Sequence, residues 1–510
     1  MGQHTTDSGA ERREEATYRH VVKYTGLFGG VQGITMLVAV ARNKVAAVLL
    51  GPAGIALVNI YLNVMNLLNQ TTNFGLSFSA VKHVSELFDE GNAEKTGRFV
   101  ETVRTWCLAA AVAGVALCCV LSPLLSHWTF GSLDYAPAFC ALSPCVGMMS
   151  VTGGEMAILK GLRQLRKVAL ISVACALCTL AITAPLYLLL GAAGIVPALL
   201  LCNAALLAVH LYYSTRCCPW RWPRGLRERL RQGLPMVRLG VAFTVAGICG
   251  QGAELVIRIA LLHFGELADV GLYNSGYVMA VTYASVVFMA IETDYFPRLS
   301  AACAERSGVS PIVNRQMEVC VLLIAPFLIL FVLAMPWVVH LLYSAAFAPA
   351  IPMAMCAVPF MFFKALTLPA AYLSLAHGDS RTYLLTELAY DVFAAVAIPL
   401  SFARWGLVGA GAALSAAGLL ELLMIHCLYR RRYGFRMDVR PLPFYAGQCL
   451  LLGVGLFAAL RWADGPVLKW TVGGAAFCLS AVWSLRRLNR ETHLAALLRG
   501  KLKGRRRRDG

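Results

Sequence analysis

Apolar runs of 18 or more residues recur along this chain from Val21 to Leu485, each long enough to cross a hydrocarbon core of ~30 Å. A soluble domain has no interior in which to bury so many. Charged residues make up 14% of the 510-residue chain, where soluble domains carry about 25%. The mean hydropathy is +0.66. The expected fold class is therefore an all-α polytopic membrane protein. Cutting the runs at glycine, proline and charge breaks gives about 14 transmembrane helices. They fall near 21–41, 53–77, 101–122, 137–159, 168–190, 192–213, 235–262, 270–291, 317–342, 350–376, 382–403, 405–428, 442–460 and 467–485.

Basic residues collect on the cytoplasmic side of membrane proteins, which tests that map independently. With the N-terminus inside, only Arg42, Lys44, Arg404, Arg461 and Lys469 of the 45 Lys and Arg fall on the outer side. Arg238, Arg258 and Lys364 fall within spans, and all the others lie inside. Both termini are thus expected in the cytoplasm. This asymmetry accounts for the formal charge of +18. The tail "GRRRR" reads as a contact with anionic membrane lipid and not with nucleic acid. The first twenty residues are polar and mixed in charge, unlike a cleaved secretory signal. Seventeen cysteines are scattered without the spacing of a zinc site or a disulfide frame. Cys217 and Cys218 sit at a basic membrane boundary, where small apolar filler is the ordinary reading and acylation the rarer one.

The chain also repeats itself. "TNFGLSFSA" begins at Thr72 and "TDYFPRLSA" at Thr293, an offset of 221 residues. Lys23 and Arg238, Arg42 and Arg258, and Asn59 and Asn274 recur at offsets of 215, 216 and 215. Two related six-helix halves follow. Six is even, so both enter the membrane in the same sense, an arrangement in which transporters hold substrate between the halves. The expected organisation is a cytoplasmic segment 1–20, a six-helix bundle 21–213, a basic linker 214–234, a second bundle 235–428, two additional helices within 442–485 and a basic tail 486–510. After each repeated phrase a short charged amphipathic stretch is expected at the membrane surface.

Polar residues inside the spans give the candidate site. Asn59, Asn63, Asn66, Gln70 and Asn73 step by four and three residues, which puts five amides on one helical face. Amides need partners in hydrocarbon. One or two would serve as glue between helices, but five fit a wet cavity, with surfaces suited to sugar hydroxyls. Asn274, Tyr277, Ser285 and Glu292 form a weaker counterpart in the second half. Glu254 and Arg258 stand four residues apart and can pair; Glu387 and Asp391 share that spacing on a later helix, with Glu421 on the next. Charges at mid-bilayer cost roughly 2.5–3.5 kcal/mol on insertion scales and mark pathways. Lys364 has no acid on its own helix, which makes it a candidate for an anionic ligand. No phosphate-binding loop, zinc-protease or hydrolase motif occurs. A transporter without cofactor or metal is expected, and no enzyme.

The segments "LFGGVQ" (27–32), "AVLLGPAGIAL" (47–57), "TNFGLSFSAVKHVSE" (72–86) and "DYFPRLS" (294–300) resemble the bacterial O-antigen and oligosaccharide flippases. So does the run from "AFAPAIPM" (346–353) through Lys364 to "YLLTELAYD" (383–391). That family belongs to the multidrug/oligosaccharidyl-lipid/polysaccharide exporter superfamily. The resemblance implies an inner-membrane flippase moving undecaprenyl-diphosphate-linked oligosaccharide from the cytoplasmic to the periplasmic leaflet by alternating access. It implies two six-helix bundles around an electropositive cavity, lined by helices 1, 2, 7 and 8. The diphosphate would meet Arg42, Arg258 and Lys364, and the glycan Asn59, Asn63, Asn66, Gln70 and Asn274. Glu254, Glu387 and Asp391 are the candidates for ion coupling. Polysaccharide polymerase and chain-length machinery would be partners. Three residues before Lys364, where relatives often carry an acid, stands Met361. The alternatives are a cation-coupled multidrug exporter of the same superfamily and a membrane glycan polymerase or ligase.

Overall fold

The structure, a computed structural model, describes residues 7–220, 226–304, 308–462 and 465–492. The arginine-rich tail beyond 492 and the side chains of the first 29 residues lie outside the described set. Among the described residues there are helices and no strands. In chain order these are α1 (Asp7–Asn73), α2 (Leu76–Asp89), α3 (Ala93–Phe130), α4 (Ala136–Gly161), α5 (Leu165–Leu190), α6 (Ile195–Thr215) and α7 (Leu226–Gln232). Then follow α8 (Leu234–Phe264), α9 (Leu267–Tyr277), α10 (Tyr283–Ala304), α11 (Ser310–Leu342), α12 (Ala350–Ala376), α13 (Ser380–Arg432), α14 (Leu442–Arg461) and α15 (Pro466–Thr492). Among the described residues, ten candidate spans are long and apolar enough to cross a membrane. The protein is a multi-pass, all-helical membrane protein.

Three of those spans each hold two of the expected helices. Gly51 breaks α1 and Gly406 breaks α13, while a 3-10 turn over Gly191–Gly194 joins α5 to α6. All three breaks carry the same four-residue pattern: "GPAG" at 51, "GAAG" at 191 and "GLVG" at 406. The first glycine of each has a positive φ, of 65°, 55° and 60°, which L side chains avoid. The last has no room for a side chain. A Cβ at Gly194 would strike the Leu186 carbonyl oxygen, and one at Gly409 the Ser401 carbonyl oxygen. Two glycines therefore turn the chain over with no loop between helices. Gly191 and Gly406 are 215 residues apart, the offset found for Lys23 and Arg238.

The chain divides into two compact units, Met1–Ile248 and Cys249–Gly510. In unit 1 the repeated phrase behaves as expected. α1 stops at Asn73, Phe74 and Gly75 take φ of 48° and 67°, and α2 starts. That helix is amphipathic: Leu76, Ala80 and Val84 pack on Val100, Val103 and Ile158, while Lys82 and Glu86 stay exposed. A Cβ on Gly161 would sit 2.6 Å from Val84, so α4 rests closely on α2. In unit 2 the helix does not break within the phrase as it does in unit 1. There α10 runs on from Tyr283 to Ala304 through the whole second phrase. Phe296 stands where the first copy has Gly75, and a second consecutive left-handed residue there would cost about 1–2 kcal/mol. The offset changes from 215 to 221 between Asn274 and Thr293, across a π-helical stretch at Val278–Thr282.

The two additional helices pack on α11. Gly455 of α14 lets Ile329 approach, and Gly473 of α15 does so for Leu333. Between them the buried Gln448 donates to Ser484 Oγ at 3.1 Å and to the Ser480 carbonyl at 3.3 Å. Such polar clasps suit helices in lipid, where apolar contact alone gives little preference.

Candidate functional site

In unit 1 the amide row lies on α1 beyond the Gly51 break. The structure divides that face. Asn59 donates to its own helix, at the Ile55 carbonyl (2.8 Å). Asn63 is buried, at 4% exposure. Asn73 is buried too and donates to Ser77 Oγ at 3.1 Å. Asn69, one step off the row, accepts from Ser150 of α4 at 2.7 Å. A Cβ on Gly153 of α4 would lie 2.7 Å from Ser77 Oγ, so α4 covers this end. Asn66 and Gln70 remain half-buried, with the Gln70 amide against Gly247. The expectation of five amides on one wet face is thus corrected. The end at Asn73 joins helices, Asn63 is buried, and Asn59, Asn66 and Gln70 remain half-buried.

Arg42 was expected at the outer end of the first span. The helix instead continues to Gly51, nine residues further, or about 13 Å at 1.5 Å per residue. Arg42 is therefore an exposed residue inside a continuous span. Its charge reaches Tyr187 of α5 and Cys202 of α6.

Unit 2 brings most of the ionisable candidates together. On α8, Arg258 donates to Glu254 Oε2 at 2.9 Å, and through its other terminal nitrogen to Asn274 Oδ1 of α9 at 3.2 Å. The Arg258 side chain is 11% exposed and that of Glu254 44%, so the carboxylate faces the more open side. Lys364 on α12 does have an acid. Its ammonium donates to both carboxylate oxygens of Glu421 on α13, at 2.8 and 3.2 Å. Lys364 indeed has no acid on its own helix; its partner comes from the neighbouring helix, which spacing along α12 cannot reveal. The Tyr390 ring lies 5.8 Å from the same ammonium.

Glu387 and Asp391, one turn apart on α13, belong to the same electrostatic neighbourhood. Lys364 acts on both, and Glu254, Glu387 and Glu421 all act on Asp391. Glycine keeps α8 close to this pair, since a Cβ on Gly250 would lie 3.7 Å from Asp391 Oδ2. The group therefore holds four carboxylates, Glu254, Glu387, Asp391 and Glu421, against two cations. In unit 2 the cluster is acidic, where the resemblance had implied positive charge. Among the described residues no three His, Cys, Asp or Glu converge as a metal site.

The sequence reading missed the most buried ion pair. Arg104 of α3 donates to both oxygens of Glu155 of α4, at 2.8 and 3.0 Å. Their side chains are 4% and 1% exposed. Arg104 also donates to Ser214 Oγ and to the Pro219 carbonyl, both at 3.1 Å, and lies 4.8 Å from the Trp220 ring. Ser214 donates in turn to Glu155. The signal was present in the expected boundaries: Arg104, counted as cytoplasmic, falls at the start of 101–122, and Glu155 near the end of 137–159 on the next helix.

The sequence matches the family described as polysaccharide biosynthesis protein over residues 21–303, more than half of the chain. The chain belongs to that family. No curated protein matches it. Among solved structures it is similar to the lipid II flippase MurJ in an inward closed conformation, with a TM-score of 0.62 and 13% identity, over 91% of this chain and 99% of that one. It is similar to an inward-facing multidrug resistance MATE family transporter of the MOP superfamily, with a TM-score of 0.62 and 13% identity, over 78% and 94%. A MOP superfamily transporter from Pyrococcus furiosus Vc1 (DSM3638) gives a TM-score of 0.58 and 14% identity, over 81% and 95%. At such identities the likeness shows the fold. The chain is thus a polysaccharide biosynthesis protein by family, with a fold similar to that of MOP superfamily transporters.

Proposed function

We propose that the protein flips an undecaprenyl-diphosphate-linked oligosaccharide, an O-antigen or related surface repeat unit, from the cytoplasmic to the periplasmic leaflet of a bacterial inner membrane. The observation carrying this reading is the polysaccharide biosynthesis match over 21–303. The structural likeness adds support. Alignment over 91% of the chain cannot leave out all of 442–510, so the likeness to the lipid II flippase extends into the region of the two additional helices. Orientation with both termini inside rests on the basic asymmetry.

In this reading transport proceeds by alternating access, without nucleotide hydrolysis. Arg42, Arg258 and Lys364 are the cations offered to the diphosphate, and Asn66 and Gln70 the amides offered to the glycan. Arg258 is the guanidinium of the set that already binds an amide, Asn274, beside its carboxylate. A phosphate oxygen can take the place of either partner in a bidentate contact. The acids Glu254, Glu387 and Asp391 then serve coupling: a proton or sodium ion taken up there offsets the negative charge gathered around Lys364. Polymerase and chain-length machinery would act on the product at the outer face.

A second reading, a cation-coupled multidrug exporter, draws on the acidic cluster and its tyrosines Tyr277 and Tyr390, which suit a cationic substrate. Deletion of the gene separates the two. The flippase reading expects loss of a surface glycan with lipid-linked repeat units accumulating inside, and unchanged tolerance of cationic dyes. Intact surface glycan with dye sensitivity would transfer the assignment to the exporter.

A further inference from the structure

Away from the residues offered to the substrate, unit 1 holds a cavity of about 910 Å³. It lies where the end of α2, the start of α3, the turn from α4 into α5, the segment after α6 and α7 meet. Three cations from three helices line it: Arg98 of α3, Lys167 of α5 and Arg229 of α7. Glu94 and Glu101 line it as well. Glu101 is taken by Arg229. Glu94 meets Arg98 at 2.6 Å, but those side chains are 76% and 77% exposed, and such a surface pair is worth little. Lys167 differs from both. Its ammonium lies 2.9 Å from Cys217 Sγ, and among the described residues no carboxylate pairs with it. The first turn of α3, a helix of 38 residues, opens on the same space through Ala93 and Gly97. Asn92 caps that turn by accepting from the Lys95 amide at 3.0 Å; the amides before Lys95 and the helix dipole favour an anion there.

We propose that this cavity binds the phosphate group of an anionic ligand. Lys167 is the anchoring cation, the first turn of α3 supplies amide donors, and Arg98 can leave its exposed partner to join them. Phe88, 42% exposed at the rim, and the apolar runs of α3, α5 and α6 beginning or ending nearby put the cavity where spans leave hydrocarbon. Phospholipid headgroups lie at that level, and a lipid phosphate and free phosphate share the chemistry. The site does not rest on the flippase reading, since none of its residues is offered there to the glycan or the diphosphate.

Cys217 and Cys218 line the cavity and report its occupancy. The purified protein is placed in nanodiscs of phosphatidylcholine, alone or with phosphatidylglycerol, and a third sample receives inorganic phosphate in phosphatidylcholine. Alkylation by N-ethylmaleimide is followed by mass spectrometry on the peptide carrying both thiols, with the Cys303 peptide as internal standard. Phosphatidylglycerol is expected to slow alkylation several-fold relative to the standard. Slowing by inorganic phosphate alone also supports the site and identifies free phosphate as a sufficient occupant. The ratio between nanodisc types, taken within each variant, should fall to one in Lys167→Gln and persist in Lys167→Arg. Arg98→Gln, at an exposed position, should reduce it. Equal rates in all three samples, or slowing that survives Lys167→Gln, would overturn the proposal.

Discussion

Replacing Arg104 by methionine should destabilise the protein more than any change at its surface. Glu155, 1% exposed, would lose both guanidinium bonds and keep only the Ser214 hydroxyl. Removing one partner of a buried pair costs about 3–5 kcal/mol, since a lone charge stays behind. The double variant Arg104→Met with Glu155→Leu removes that charge and should recover most of the loss. Recovery should be incomplete, because the buried Ser214 hydroxyl, which accepts from Arg104 and donates to Glu155, loses both partners. An unsatisfied buried hydroxyl costs about 1–3 kcal/mol, and that is the expected residue. The measurement is reversible unfolding in mixed micelles, followed by helical circular dichroism and repeated for native, single and double variants. Every ~1.4 kcal/mol is a tenfold change in the folding equilibrium, so single and double variants should separate clearly. A single variant within about 1 kcal/mol of native, well short of the buried-pair range, refutes the reasoning. A double variant as unstable as the single does so too.

Three other outcomes follow from local geometry. Gly409→Ala should impair folding more than Gly406→Ala: the first meets the Ser401 carbonyl oxygen, while the second has open space and pays only the ~1–2 kcal/mol of a left-handed residue; expression and monodispersity in detergent give the comparison. Arg258→Ala should reduce flipping strongly and Arg258→Lys recover only part; if Arg258 merely neutralises Glu254, Arg258→Ala with Glu254→Ala restores transport, which would remove Arg258 from the substrate site. Asp379, between α12 and α13, is held below the usual carboxylate range by hydrogen bonds from the Thr382 hydroxyl and amide, with Tyr433 and Arg432 adding to them. A depressed carboxylate stabilises the fold above its unfolded value of about 3.9 and loses that contribution as pH falls through the lower folded value. Asp379→Asn should therefore be less stable than native at neutral pH, with the gap closing below about pH 4; a gap independent of pH would contradict this.

The membrane class was legible because span length is dictated by bilayer thickness, whatever the packing. The repeat was legible wherever residues recur at a near-constant offset, as Gly191 and Gly406 also do. What stayed hidden needed a neighbour in space. Lys364 looked unpartnered because Glu421 lies 57 residues away, and Asn63 and Asn73 looked wet because only the fold brings α3 and α4 against α1. The turns "GPAG", "GAAG" and "GLVG" were in plain view, but their meaning depends on φ, which composition does not report. Conversely, the phrase at 293 promised a separate surface helix, and α10 runs through it unbroken.

Reconstitution tests the central claim most directly. Proteoliposomes loaded with fluorescent undecaprenyl-diphosphate-linked oligosaccharide are prepared with the native protein, with Arg258→Ala, or without protein. Exposure of the glycan to an external enzyme that cannot cross the bilayer is then followed without nucleotide. The account predicts protein-dependent transfer between leaflets, greatly slowed in Arg258→Ala and altered by an imposed proton or sodium gradient. Glycan that stays in its starting leaflet, in vesicles whose protein moves a cationic dye under the same gradient, would contradict it.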